Sequence, residues 1–172
     1  MKKTLALIFA FVLCFTAGIA LAENPVVLEN LTMSDGFTFA VPSNWEYMEI
    51  SDEEIEEGYI LMAMDEANGL AMVVFVEPGE EGVTTAELAD ALREETESFS
   101  DIQIYTNKHG MEIILYEDAE GGMAGFFVLQ PDGYVVAFNY TALDEGADMS
   151  ANPVLGQLLV ESVESICYMD AE

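Results

Sequence analysis

Residues 59–64 and 70–76 are two apolar runs joined by Asp65-Glu66-Ala67-Asn68-Gly69. Asn-Gly between apolar runs predicts a hairpin, because both residues accept the backbone dihedrals of a tight turn. The first run is apolar on both sides: Ile60, Met62 and Met64 would point one way, Tyr59, Leu61 and Ala63 the other. A strand with one wet face alternates apolar with polar, and this pair does not. It belongs in the middle of a sheet covered on both sides.

The remaining elements are read around that hairpin. Gly36-Phe37-Thr38-Phe39-Ala40-Val41-Pro42 alternates and stops at proline, as a first strand would, and Trp45–Ile50 reads as a second. Thr84-x-x-Glu87 is a capping box that opens a helix, with Leu88, Leu92, Glu95 and Phe99 at helical spacing. Two further hairpins, turning at Asn107–Gly110 and Pro131–Gly133, make residues 101–140 a meander of about four strands. Asn152-Pro153 caps a closing helix whose apolar face runs through Val154, Leu155, Leu158, Leu159, Val163 and Ile166. Cys167 is expected as an apolar thiol near the end of that helix.

The first 22 residues differ from everything after them. Met1-Lys2-Lys3 is a positive start, Leu5–Ile19 an apolar run, and Ala20-Leu21-Ala22 a small-residue cleavage site. That is the pattern of a secretory signal peptide, and it predicts a periplasmic or extracellular destination after cleavage near Ala22. Cys14 follows Leu13 rather than a small residue and is read as part of the apolar run, not as a lipid anchor. The expected organisation is a signal peptide at 1–22, a loose leader at 23–35 and one domain at 36–172.

The chain's 33 Asp and Glu face four Lys and Arg, two of which are Lys2 and Lys3; the 150 residues after the signal peptide therefore carry a formal charge of −31. Such a charge repels nucleic acid and anionic membrane surfaces and favours basic proteins or cations. Apolar residues nevertheless make up 52% of the chain, which sets it apart from a disordered acidic tail. With Cys167 as the one cysteine after residue 22, the domain forms no internal disulfide.

The order of elements, together with the opening Phe37-x-Phe39-x-Val41-Pro42-x-x-Trp45 and the closing Glu164-Ser165-Ile166, resembles the PsbP-like family. That family includes the extrinsic photosystem II subunit, a Ran-binding nuclear import factor and many exported bacterial proteins. The resemblance spans residues 36–169. It implies an α+β fold: a three-layer α/β/α sandwich with a central, mostly antiparallel sheet. It also implies an accessory or binding role rather than catalysis, and it transfers no functional residue.

The residues themselves hold few chemical motifs. His109 is the only histidine and falls in a predicted turn; there is no G-x-S-x-G elbow, no H-E-x-x-H and no paired C-x-x-C. Gly121-Gly122 and Gly125 lack the setting of a phosphate-binding loop. An enzyme is not expected, a carboxylate-based hydrolase being the residual catalytic reading. Asp52, Glu53, Glu54, Glu56 and Glu57 offer oxygens to calcium, making a cation-responsive module the alternative to a binding role, although their spacing does not match a known calcium loop. Asp144-Glu145-Gly146-Ala147-Asp148 is a second acid cluster. Met62, Met64 and Met72 are thioethers that would suit Cu(I), against the ordinary use of methionine as core filler. Glu87, Asp90, Glu94 and Glu97 form an acidic helix stripe that could steer a basic partner, against the plainer reading of a solvated face.

Overall fold

The computed structural model describes residues 26–80, 82–95, 99–118, 122–144, 149, 152 and 154–169. The segment read as a signal peptide, with Cys14, and Glu97 lie outside the described residues. Ten strands and three helices are described: β1 (Leu28–Thr32), β2 (Phe37–Pro42), β3 (Glu46–Tyr47), α1 (Asp52–Glu56), β4 (Tyr59–Asp65), β5 (Leu70–Pro78), α2 (Thr85–Glu94), β6 (Phe99–Thr106), β7 (Glu112–Asp118), β8 (Met123–Leu129), β9 (Tyr134–Ala142), α3 (Leu155–Ser165) and β10 (Cys167–Tyr168).

Seven strands form one antiparallel sheet in the order β3-β4-β5-β9-β8-β7-β6. The Asn68-Gly69 hairpin supplies β4 and β5, and β5 pairs along its whole length with β9. Directly paired residues share a face. Leu61, Ala63, Met72, Val74, Phe138 and Tyr140 point to one side, and Met62, Met64, Val73 and Phe75 to the other. The first side holds the larger core, with Phe126 and Phe138 stacked at 4.4 Å and Phe39 edge-on to Phe138 at 5.1 Å.

What closes the larger core corrects the expectation of a three-layer α/β/α sandwich. The fold is mostly β, and the covering layer contains a second, three-stranded antiparallel sheet in the order β1-β2-β10, beside which α3 lies. The expected first strand is real, since β2 is buried at every position, but it belongs to this second sheet. The segment read as a loose leader supplies β1, paired with β2 from Leu28↔Pro42 to Thr32↔Thr38. Cys167, placed near the end of a helix by the sequence reading, is half-buried in β10 and paired with Thr38. The physical reason is local. β1 is a short, largely exposed edge strand without an apolar stripe, and β10 is a two-residue pairing stabilised by tertiary contact.

The smaller core lies on the opposite face, where α2 sets Leu88, Ala89 and Leu92 over Ile114, Tyr116, Phe127 and Ala137. The expected capping box of Thr84 with Glu87 forms on α2, and a second one, Ser51 with Glu54, opens α1. Helix α2 stops at Glu94 rather than running on to Phe99, which instead opens β6 and packs edge-on to Tyr116 at 5.1 Å. The closing helix begins at Leu155, with Asn152 Oδ1 accepting the N–H groups of Val154 and Leu155 at 3.0 and 3.3 Å. Its end is held by Asn107, which donates through Nδ2 to the Val163 and Ile166 carbonyls at 2.9 and 2.8 Å. Asn107 Oδ1 accepts from His109 N and Met111 N, both at 3.0 Å, so one amide secures the β6–β7 turn and the end of α3 together.

Candidate functional site

Helix α1 carries Asp52, Glu53, Glu54 and Glu56, with Glu57 as its C-cap; four of these acids are exposed and Glu54 is half-buried. Glu54 is already engaged, its Oε2 accepting from Ser51 N and Ser51 Oγ at 2.7 Å each. The Ser51 hydroxyl first, and its backbone N–H second, hold the Glu54 carboxyl below its usual range. Among the described residues no three His, Cys, Asp or Glu side chains are grouped as a metal would require. Asp144 is described and exposed, while the rest of its cluster, 145–148, lies outside the described residues.

The α2 stripe is exposed as expected, yet two of its acids have local work. Glu87 closes the capping box on Thr84. Asp90 pairs with Arg93 at 2.5 Å, and both side chains are exposed, so the pair contributes little to stability. Glu94 is exposed at the last turn. The thioether trio weighed against core filling is not assembled. Met72 pairs with Ala63 and is fully buried in the larger core, whereas Met62 and Met64 face the opposite side of the sheet.

Two sites are assembled that the sequence did not mark. The first is the half of the large sheet away from α2, which packs on β6 and β7. The Met48 N–H donates to the Met62 carbonyl at 2.9 Å, continuing the β3–β4 pairing and putting Met48 beside Met62. Met62 pairs with Val73, and Met64 with Ala71. Met62, Met64, Ala71 and Val73 are half-buried, Met48 is 46% exposed, and none of the five belongs to either core. Glu46, opposite Met64, and Glu77, two positions beyond Phe75, share this face, and acidic α1 lies against β4.

The second is an open cleft of about 980 Å³ at the end of the sheet, where the β5–α2 loop, the β6–β7 turn, the β8–β9 turn and β10 converge. Gly79 allows the closure: its N–H donates to the Gly133 carbonyl at 3.0 Å, and a Cβ there would stand 2.5 Å from that oxygen. Gln130 and Tyr168 line the cleft, and Gln130 Nε2 and the Tyr168 hydroxyl are buried with no hydrogen-bond partner among the described residues. Burial first, then Asp35 and Asp132, push the Tyr168 phenol up to about 12. It therefore stays neutral and able to donate across the ordinary pH range.

His109 is exposed in its turn. Met48 could have been found from sequence by pairing the 45–50 strand with the hairpin beside it. Gln130 and Tyr168 carry no sequence signal, because an unsatisfied amide is a property of surroundings and not of residue type. The chain matches no family model and no curated protein.

Proposed function

We propose that this is an exported, non-catalytic binding protein that docks a basic, partly apolar protein segment on the open half of its large sheet. The observation that carries the reading is the apolar strip of Met48, Met62, Met64 and Val73, which lies outside both cores and is flanked by Glu46 and Glu77. Methionine is unbranched and polarizable, so such a strip accommodates apolar side chains of varied shape. The surrounding acids select against acidic competitors and speed encounter with a basic partner. Export is supported by the Lys2-Lys3, apolar-run and Ala20-Leu21-Ala22 pattern. The accessory role is supported by the resemblance of the Phe37–Trp45 opening to the PsbP-like family.

The test is fluorescence anisotropy with a basic amphipathic peptide and its charge-reversed analogue. The basic peptide should bind, bind more weakly as sodium chloride rises, and lose affinity for Met62→Gln and Met64→Gln variants that melt with the parent. Equal binding of the acidic analogue, or full binding by both variants, refutes the assignment.

A further inference from the structure

The cleft at the end of the sheet is independent of the methionine strip and has a chemistry of its own. Gln130 is 6% exposed, yet its Nε2 has no partner among the described residues, and the Tyr168 hydroxyl, on another residue of the same lining, has none either. Buried donors are almost always satisfied, since an unmade hydrogen bond leaves the desolvation cost uncompensated. Two such donors, on residues that line one cavity, mark where an acceptor can be bound. Carboxylates narrow what can supply it. Asp132 and Glu112 line the cleft, and Asp35 acts on the Tyr168 phenol. The N-terminus of α2 also borders the cleft through Thr84 and Thr85, and an anion would ordinarily seek it. That end is already occupied by the Glu87 carboxylate, which accepts from Thr84 N at 2.9 Å and Thr84 Oγ1 at 2.8 Å. An anionic ligand would therefore meet Glu112 and Asp132 on the lining and Glu87 at the helix end.

We propose that this cleft binds a small organic ammonium ion that also carries a neutral acceptor oxygen. The oxygen accepts from Gln130 Nε2 and the Tyr168 hydroxyl, and the ammonium group lies toward Asp132 and Glu112. Val83, Met111 and Leu129 on the same lining provide apolar contact for the carbon skeleton.

The experiment is calorimetric titration and thermal unfolding of protein recovered from expression of the full chain, with glycinamide as the probe. Ethylammonium supplies the charge without the acceptor, acetamide the acceptor without the charge, and glycolate an anion. Glycinamide should bind saturably and more tightly than each of the three, and raise the melting temperature as linkage requires. Gln130→Met and Tyr168→Phe should each weaken it by about three- to tenfold, the loss of one hydrogen bond. Both variants should melt at or above the parent, because each removes an unsatisfied buried polar atom. Met62→Gln should leave glycinamide binding unchanged, which separates this site from the docking strip. Glycinamide acting no better than ethylammonium, or both cleft variants binding as the parent does, overturns the proposal. So does a Gln130→Met variant that melts well below the parent, since its amide would then be satisfied in the native fold.

Discussion

Asn107→Leu should destabilise the protein by about 4 kcal/mol, the side chain's four hydrogen bonds being worth about 1 kcal/mol each net. Asn107 is 5% exposed, and its amide donates to Val163 O and Ile166 O and accepts from His109 N and Met111 N. The two carbonyls belong to the last turn and cap of α3, so the substitution leaves them buried opposite an apolar side chain. Leucine has the same number and branching of side-chain heavy atoms as asparagine, so no cavity is opened and the polar loss dominates. For a domain of this length the expected fall in melting temperature is about 8–16 °C, read by circular dichroism with a urea titration to convert it to free energy. The internal control is Gln130→Met. Gln130 is buried to the same degree, 6% against 5%, but its Nε2 makes no bond, so its replacement should cost nothing. Asn107→Asp sharpens the test, since a carboxylate would face two carbonyl oxygens and should be worst at neutral pH, recovering in part when protonated. If Asn107→Leu and Gln130→Met shift the midpoint equally, buried amides here are not distinguished by their hydrogen bonds, and the reasoning fails.

Gly125→Ala should destabilise by about 1–3 kcal/mol, because the new Cβ would collide with the Phe138 carbonyl and stand 2.9 Å from the Tyr116 hydroxyl, which reaches Asn139 across this glycine. A chemical-denaturation midpoint equal to the parent's refutes that packing. The Thr84 backbone N–H, and secondarily its hydroxyl, hold the Glu87 carboxyl below its usual range. A carboxyl depressed in the folded state contributes stability above its unfolded pKa, about 4.3, and loses that contribution as pH falls through the folded value. The melting difference between parent and Glu87→Gln should therefore be present at pH 7 and close in acid; a gap independent of pH contradicts it. Sodium, magnesium and calcium chlorides matched for ionic strength should raise the melting temperature alike, by screening self-repulsion. A rise specific to calcium would show a bound site and direct mutation to Asp52–Glu57.

Elements with a complete local code were legible in the sequence. The β4–β5 hairpin announces itself by Asn68-Gly69, α2 by Thr84-x-x-Glu87, and β8–β9 by Pro131-Asp132-Gly133. What was not legible depends on partners distant in sequence. Leu28–Thr32 is a strand because β2 pairs with it, and Cys167–Tyr168 because the chain leaving α3 meets the other edge of β2. Once those two flank β2, the first strand cannot join the large sheet, and the covering layer takes on a sheet of its own. The same distinction separates the sites. The acids of α1 and α2 were easy to name, yet Glu54 and Glu87 are used in capping and Asp90 in a surface pair. Met72 looked equivalent to Met62, but in an antiparallel register the residue opposite Ala63 points with Ala63, into the core. Gln130 is distinguished by its surroundings alone, its Nε2 having no partner among the described residues.

The acidity of the chain gains a specific consequence from these placements. Most of its carboxylates could be a solvated surface and nothing more, since solubility alone accounts for a net charge far from zero. The two assembled sites differ from that background because each combines carboxylates with a second feature: an apolar strip beside Glu46 and Glu77, and donors without a partner among the described residues at the cleft with Glu112 and Asp132. Charge alone would recruit any cation weakly and lose it at moderate salt. Paired with apolar area at one site and directed hydrogen bonds at the other, the same charge sets sign and encounter rate while the second feature sets identity. Salt should therefore act mainly on association rates, and the Met62, Met64, Gln130 and Tyr168 substitutions mainly on dissociation rates. Stopped-flow association measured at two ionic strengths distinguishes the two contributions, and a salt dependence confined to dissociation would show that the acids act only after contact.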